Sequence, residues 1–292
     1  SSPSSRACFG TLTAALLLAA APVAWSQAAY PSKPINLIVG YPAGGSTDLT
    51  GRTLGDALAK QLGVPVVIEN VGGAGGTIGA QKAVSAAPDG YTLFVGASNE
   101  VAISKLVTKS VKYDLKDFTP IGLIASQPMV LVASPATGVK NLDEFIAKVK
   151  AAPGKYSYGS SGVGTALHLA GEMMKERAGI FMTHIPYRGV APLANDLLGN
   201  NLEYGVFVLS SGLPHIKSGK LVALGTTEAR RSPLTPDIPA LGEHAKLKGI
   251  DIGTWFVLLG PAKLPEAVTS RLKTALAESL RSPELRKKLE AS

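Results

Sequence analysis

Ile35-Asn36-Leu37-Ile38-Val39-Gly40-Tyr41-Pro42-Ala43-Gly44-Gly45-Ser46-Thr47-Asp48 reads as a short apolar strand, a loop of glycine, proline and small hydroxyl residues, and the first turn of a helix. The helix continues through Leu54, Ala57, Leu58 and Leu62 at helical spacing until Gly63 stops it. The same grammar returns at once. Val66–Asn70 leads through Gly72-Gly73-Ala74-Gly75-Gly76 into a helix expected over Thr77–Ala87, closed by Pro88-Asp89-Gly90. Tyr91–Val95 is a third strand, followed by Gly96-Ala97-Ser98-Asn99 and another helix. Strands alternating with helices in this way predict an α/β protein.

From Phe118 the pattern changes. Two apolar runs, Ile121–Ala125 and Met129–Ala133, are separated only by Ser126-Gln127-Pro128, as expected of a strand that crosses from one lobe to another. A second α/β set follows. It has a helix over Asn141–Ala151, a strand at Tyr156–Tyr158, the loop Gly159-Ser160-Ser161-Gly162-Val163-Gly164 and a helix whose apolar stripe is Leu167, Ala170, Met174 and Ala178. Strands near Met182–Ile185, Tyr204–Val208 and Leu221–Thr226 complete it, and Trp255–Leu259 reads as a strand returning to the first lobe. Pro265–Leu280 is a last full helix, and Ser282-Pro283-Glu284 starts another.

The 292 residues allow two lobes, and 46% hydrophobic against 17% charged residues is the balance of a folded body with a real core. The net charge of +8 comes from scattered basic residues with few aromatics, so a nucleic-acid partner is not expected. Residues 1–28 read as a secretory signal peptide: Arg6, the apolar run Leu12–Ala21, then small residues around Ala24-Trp25-Ser26 and Ser26-Gln27-Ala28 that suit cleavage. That run is too short to span a bilayer, which predicts a soluble, exported protein. Cys8 is the only cysteine and lies within this leader, so disulfides, thiolate metal sites and lipid anchoring through a cysteine are not expected of the mature chain.

Three loops, Gly44–Thr47, Gly72–Thr77 and Gly159–Thr165, precede helix N-termini, where unpaired N–H groups and the helix dipole hold anions without a lysine or arginine. Each loop taken singly is equally an ordinary cap; two of them facing one cleft from separate lobes would be a site. Asp48 suits the first turn of its helix, and could alternatively fix the anion loop or meet a ligand donor. His168 and Glu172, at i and i+4, read first as a helix-surface pair. Other chemistries find no motif. Gly73–Ile78 misses a dinucleotide fingerprint by one residue, the four histidines lack metal-ligand spacing, and Gly159-Ser160-Ser161-Gly162 does not fit the serine-hydrolase elbow.

The runs Tyr30–Ile35, Tyr41–Asp48, Glu69-Asn70 with Gly73–Gly76, and Ala87–Leu93 resemble the Bug-type solute-binding proteins of tripartite tricarboxylate transporters. So do Tyr158–Gly162 with Gly164-Thr165, His168–Glu172 and Pro186–Gly189. The resemblance implies a two-lobed periplasmic-binding-protein fold of the type II, Venus-flytrap kind, with two interlobe strand crossings. It implies a small carboxylate-bearing ligand caught between the lobes and passed to membrane transporter subunits, by a monomer without cofactor or metal and without enzymatic activity. The lobes are expected at residues 29–125 and 227–292 for the first and 126–226 for the second. By the same resemblance Tyr41, Pro42, Ala43, Gly44, Gly45, Ser46, Thr47 and Asp48, with Ser160, Ser161, Gly162, Gly164, Thr165 and His168, hold the carboxylate. Ser98, Tyr187, Arg188, Gly189, Val190 and Phe207 line the rest. Family members often carry Asp where this chain has Val208, so recognition of a ligand amino group is not implied; they also continue past Ser292, so the second part of lobe one reads as C-terminally truncated. The alternatives are a ligand-binding subunit for a sensor and an exported enzyme.

Overall fold

Among the described residues nine strands form one sheet that serves two lobes, eight along one path and β8 (Val222–Thr226) beside it on β4 (Phe118–Ala133), the one long strand that joins the lobes. The computed structural model describes residues 29–291; the expected leader, its cleavage positions and Cys8 lie outside these residues. In the first lobe, β1 (Ile35–Val39) pairs in parallel with β2 (Val66–Asn70) on one side and β3 (Thr92–Ala97) on the other. Helices α1 (Ser46–Leu62) and α2 (Thr77–Val84) make the crossovers that parallel pairing requires. β1 is almost wholly apolar because both of its faces are covered: Leu37, Ile38 and Val39 have no exposed surface.

β4 (Phe118–Ala133) runs unbroken through Ser126-Gln127-Pro128, so the two apolar runs of the sequence are halves of one sixteen-residue crossing strand. Its first half pairs antiparallel with β9 (Gly253–Pro261), which also pairs with β3. Its second half pairs with β7 (Tyr204–Val208) and β8 (Val222–Thr226). The second-lobe sheet continues through β5 (Ser157–Ser160) to β6 (Thr183–Pro186), both parallel to their neighbours. Around it pack α4 (Leu142–Ala151), α5 (Ala166–Ala178), α6 (Val190–Leu198) and α7 (Leu209–Lys217). The stripe Leu167, Ala170, Met174 and Ala178 is buried along α5 as its period requires.

A π turn over Asn99–Ile103 and the short α3 (Ser104–Val107) stand where a plain helix was expected after β3. The C-terminal helices α8 (Glu266–Arg281) and α9 (Pro283–Ala291) pack beside α1. The chain does not rejoin the first-lobe sheet at Thr227. Between there and β9 it lies on the second lobe, where His244 Nε2 meets Asp143 Oδ1 on α4 at 3.0 Å and Arg177 on α5 donates to the Lys248 carbonyl. The return begins at Gly253. No described helix is long and apolar enough to cross a membrane.

Candidate functional site

The loop from β1 to α1 is built around a buried carboxylate. Asp48 Oδ2 accepts from the Gly44 N–H at 2.8 Å and from Arg52 Nε at 3.0 Å, while Oδ1 accepts from Asn70 Nδ2 at 2.8 Å. Burial works against ionisation, but the bonds from Arg52, Gly44 and Asn70 outweigh it and hold the carboxyl below its ordinary range. Of the roles open to Asp48 in the sequence, fixing its own loop is therefore the one its bonds display. Gly44 takes a positive φ of +89°, which a side chain would strain, whereas Gly45 has the ordinary φ of −86° and caps α1.

In the second lobe, the loop after β5 turns through Gly162 and Gly164, both at positive φ. Thr165 caps α5: its Oγ1 accepts from the His168 N–H and donates to the Gly162 carbonyl at 2.8 Å. His168 Nδ1 accepts the Gly164 N–H at 3.0 Å, and its ring stacks on His184 with centroids 4.0 Å apart. His184 Nε2 lies 2.7 Å from Ser160 Oγ, which takes the Gly162 N–H. Burial, with the neighbouring His168 adding to it, pushes His184 down to about 4, and burial also lowers His168, so the neutral form of both rings is favoured. Glu172 is held by the Tyr158 hydroxyl at 2.6 Å and by Lys175, with His168 farther off at 3.8 Å.

Between these loops lies a narrow cavity of about 20 Å³, room for a single water. The first lobe lines it with Tyr41, Gly45, Ser46, Thr47, Ala97, Asn99, Thr254 and Phe256, and the second with Ser161, Leu167, Val190 and Val208. Three helices, α1, α5 and α6, present first-turn residues to it, and each N-terminus carries roughly half a positive charge. No charged side chain lines it.

Several expected residues stand one layer back. Ser98 Oγ bonds Thr254 Oγ1 at 2.9 Å, the Tyr187 hydroxyl donates to Asp196 at 2.6 Å, and Ser160 and His168 serve the loop. Pro42, Ala43 and Gly44 form the outer turn of their loop, Gly189 caps α6, and Arg188 is exposed at the rim. Phe207 has no exposed surface, and the cavity is met by the next residue, Val208. Ala97, Asn99, Leu167, Thr254 and Phe256 were not expected. Ala97 and Asn99 flank the expected Ser98 and Leu167 precedes the expected His168, while Thr254 and Phe256 carry no local signal.

A two-lobed α/β body with its loops closing on a cavity between the lobes is the architecture of a periplasmic binding protein. The pattern of the tripartite tricarboxylate transporter family receptor matches residues 50–292, and the chain belongs to that family. It is 35% identical to Protein BugT of Bordetella pertussis over 265 residues, covering 90% of this chain and 80% of that protein. The periplasmic binding protein BugD superposes with a TM-score of 0.86 at 34% identity, covering 90% of this chain and 87% of that one. MatC from Rhodopseudomonas palustris, with bound malate, superposes with a TM-score of 0.84 at 28% identity, covering 90% and 89%. Family and fold are those of a binding protein rather than an enzyme. Among the described residues no group of three or more His, Cys, Asp or Glu could hold a metal ion.

Proposed function

We propose that this chain captures a small carboxylate-bearing metabolite between its lobes in the periplasm and delivers it to the membrane subunits of a tripartite tricarboxylate-type transporter. One observation carries the reading: three helix N-termini converge on a cleft whose polar groups are neutral donors and whose lining holds no charged side chain. Such a site favours an anion through aligned N–H groups and hydroxyls. The same lining offers an ammonium group no carboxylate, since Val208 contributes only methyls and Asp48 is spent within its own loop. Carboxylic acids without an amino group fit best. The malate bound to MatC belongs to this class. A cavity of one water is too small for any such acid, so entry requires the lobes to part. Thermal unfolding against a panel of mono-, di- and tricarboxylates, paired with amino acids of matching carbon skeleton, tests the proposal. A stabilising shift is expected with at least one carboxylate and none with its amino counterpart; a panel answered only by amino acids or by neutral solutes would refute it.

A further inference from the structure

The closed cleft is bridged by one side chain. Asn99, 4% exposed at the start of the π turn, accepts the Ala166 N–H through Oδ1 at 2.6 Å. Its Nδ2 donates to the Tyr41 hydroxyl oxygen at 2.7 Å. Tyr41 donates in turn to the Gly75 carbonyl at 2.8 Å and stands 3.2 Å from the buried Glu100 carboxyl. Glu100 is pinned by the Ala97 N–H at 2.7 Å. The amide is thus oriented by first-lobe groups while its oxygen takes the first orphan N–H of the second-lobe helix α5. Among the described residues no other hydrogen bond joins the lobes across the cleft. The remaining approaches there are close packing, such as Gly45 toward Val190 and Gly164 against Val107.

We propose that Asn99 is the positioning residue of closure, a latch whose bond to the Ala166 N–H holds the lobes together before a ligand arrives. Of the first three N–H groups of α5, His168 is satisfied by Thr165 and Ala166 by Asn99, while Leu167 lines the cavity. The latch therefore leaves part of the helix end to the ligand instead of competing for all of it. A larger closed fraction before binding raises apparent affinity in proportion, since a ligand that finds the competent state already populated spends less on closing it. The inference rests on the proposed capture between lobes, but its test needs no ligand, so a chain that bound no carboxylate would leave this result standing.

The test is a distance measurement between spin labels at the exposed positions Gln81 and Glu176, one on each lobe, with Cys8 replaced by serine and bound solutes removed by unfolding and refolding. The unmodified cleft should show a closed population that Asn99→Leu lowers at least about threefold, the loss of one well-made hydrogen bond. Ala166→Pro removes the donor from the other side. Proline is well placed at the first helical position and Thr165 before it is already extended at ψ 161°, while the proline Cδ, standing where the N–H met Asn99 Oδ1, opposes closure as well as removing the bond. This variant should lower the closed fraction at least as far as Asn99→Leu does. A parent protein with no closed population, or one unchanged in both Asn99→Leu and Ala166→Pro, would overturn the latch.

Discussion

Among the described residues Glu100 is the one carboxyl buried beside the cleft without a cation, and burial pushes it up to about 8 despite the bond from the Ala97 N–H, which favours its charged form. The unfolded chain releases this proton near its ordinary 4.5, while the folded protein keeps it to about 8. The native state binds the extra proton throughout that window, so this group's contribution to stability falls as pH rises from 4.5 to 8 and levels off above. Glu100→Gln has nothing to titrate and can still accept from Ala97 and donate to Tyr41. Its advantage over the parent should therefore grow by on the order of a few kcal/mol between pH 5 and 8.5 in urea unfolding. An advantage constant with pH would place the ionised acid in the folded protein. Gly45 makes a different point. Its φ of −86° is open to any residue, and an added Cβ meets only ordinary contacts at 3.9 Å, toward Val190 and the Pro42 carbonyl. A valine there acts through its γ-methyls, which occupy the lobe-to-lobe gap. Gly45→Val should accordingly weaken binding of the acid found in the panel at least about tenfold, roughly 1.4 kcal/mol by calorimetry, with little loss of stability.

At the scale of elements, the residues that hold the site's loops are readable in sequence because they are local. Glycine and hydroxyl residues before an apolar helical stripe mark the Tyr41–Asp48 and Ser160–Thr165 loops, and the cap on α5 follows from Thr165 alone. Removing that cap frees the His168 N–H and breaks the bond to the Gly162 carbonyl, so Thr165→Ala should cost about 1–2 kcal/mol of stability in denaturant unfolding. A change under about 0.3 kcal/mol would mean that the loop holds itself. Two helices escaped the sequence reading. α6 carries Pro192 and α7 carries Gly212 and Pro214, and these interrupt the pattern that marks a helix, while tertiary packing buries Leu193, Leu197, Leu209 and Leu213 all the same. The π turn at Asn99 was equally invisible, since an i to i+5 register leaves no composition signature. Phe207 shows the limit within a strand. Its side chain and that of Val208 point to opposite faces, and sequence alone does not say which face meets the cleft. Thr254 and Phe256 reach the site from β9, whose partners on β3 and β4 lie well over a hundred residues earlier in the chain.

Over the whole molecule, the net charge of +8 offers a simpler account of anion binding than the loops do: a basic protein could attract any carboxylate by long-range field. The cleft argues otherwise, because its lining contains neither Lys nor Arg and the nearest expected cation, Arg188, is exposed and makes no hydrogen bond or ion pair among the described residues. Exposed charges are screened over about 8–10 Å at moderate salt, whereas neutral donors enclosed between closed lobes are screened far less. The two accounts therefore separate cleanly. If the loops anchor the ligand, raising salt from about 0.05 to 0.5 M should change its affinity by less than about threefold. Arg188→Gln should cost less than about 1 kcal/mol, as for a rim charge that affects encounter more than dwell time. Calorimetry of both proteins at the two salt concentrations decides the matter. A steep salt dependence in the parent, together with a loss of 2 kcal/mol or more in the variant, would make Arg188 the anchor and would mean that it swings into the cleft when the ligand is bound.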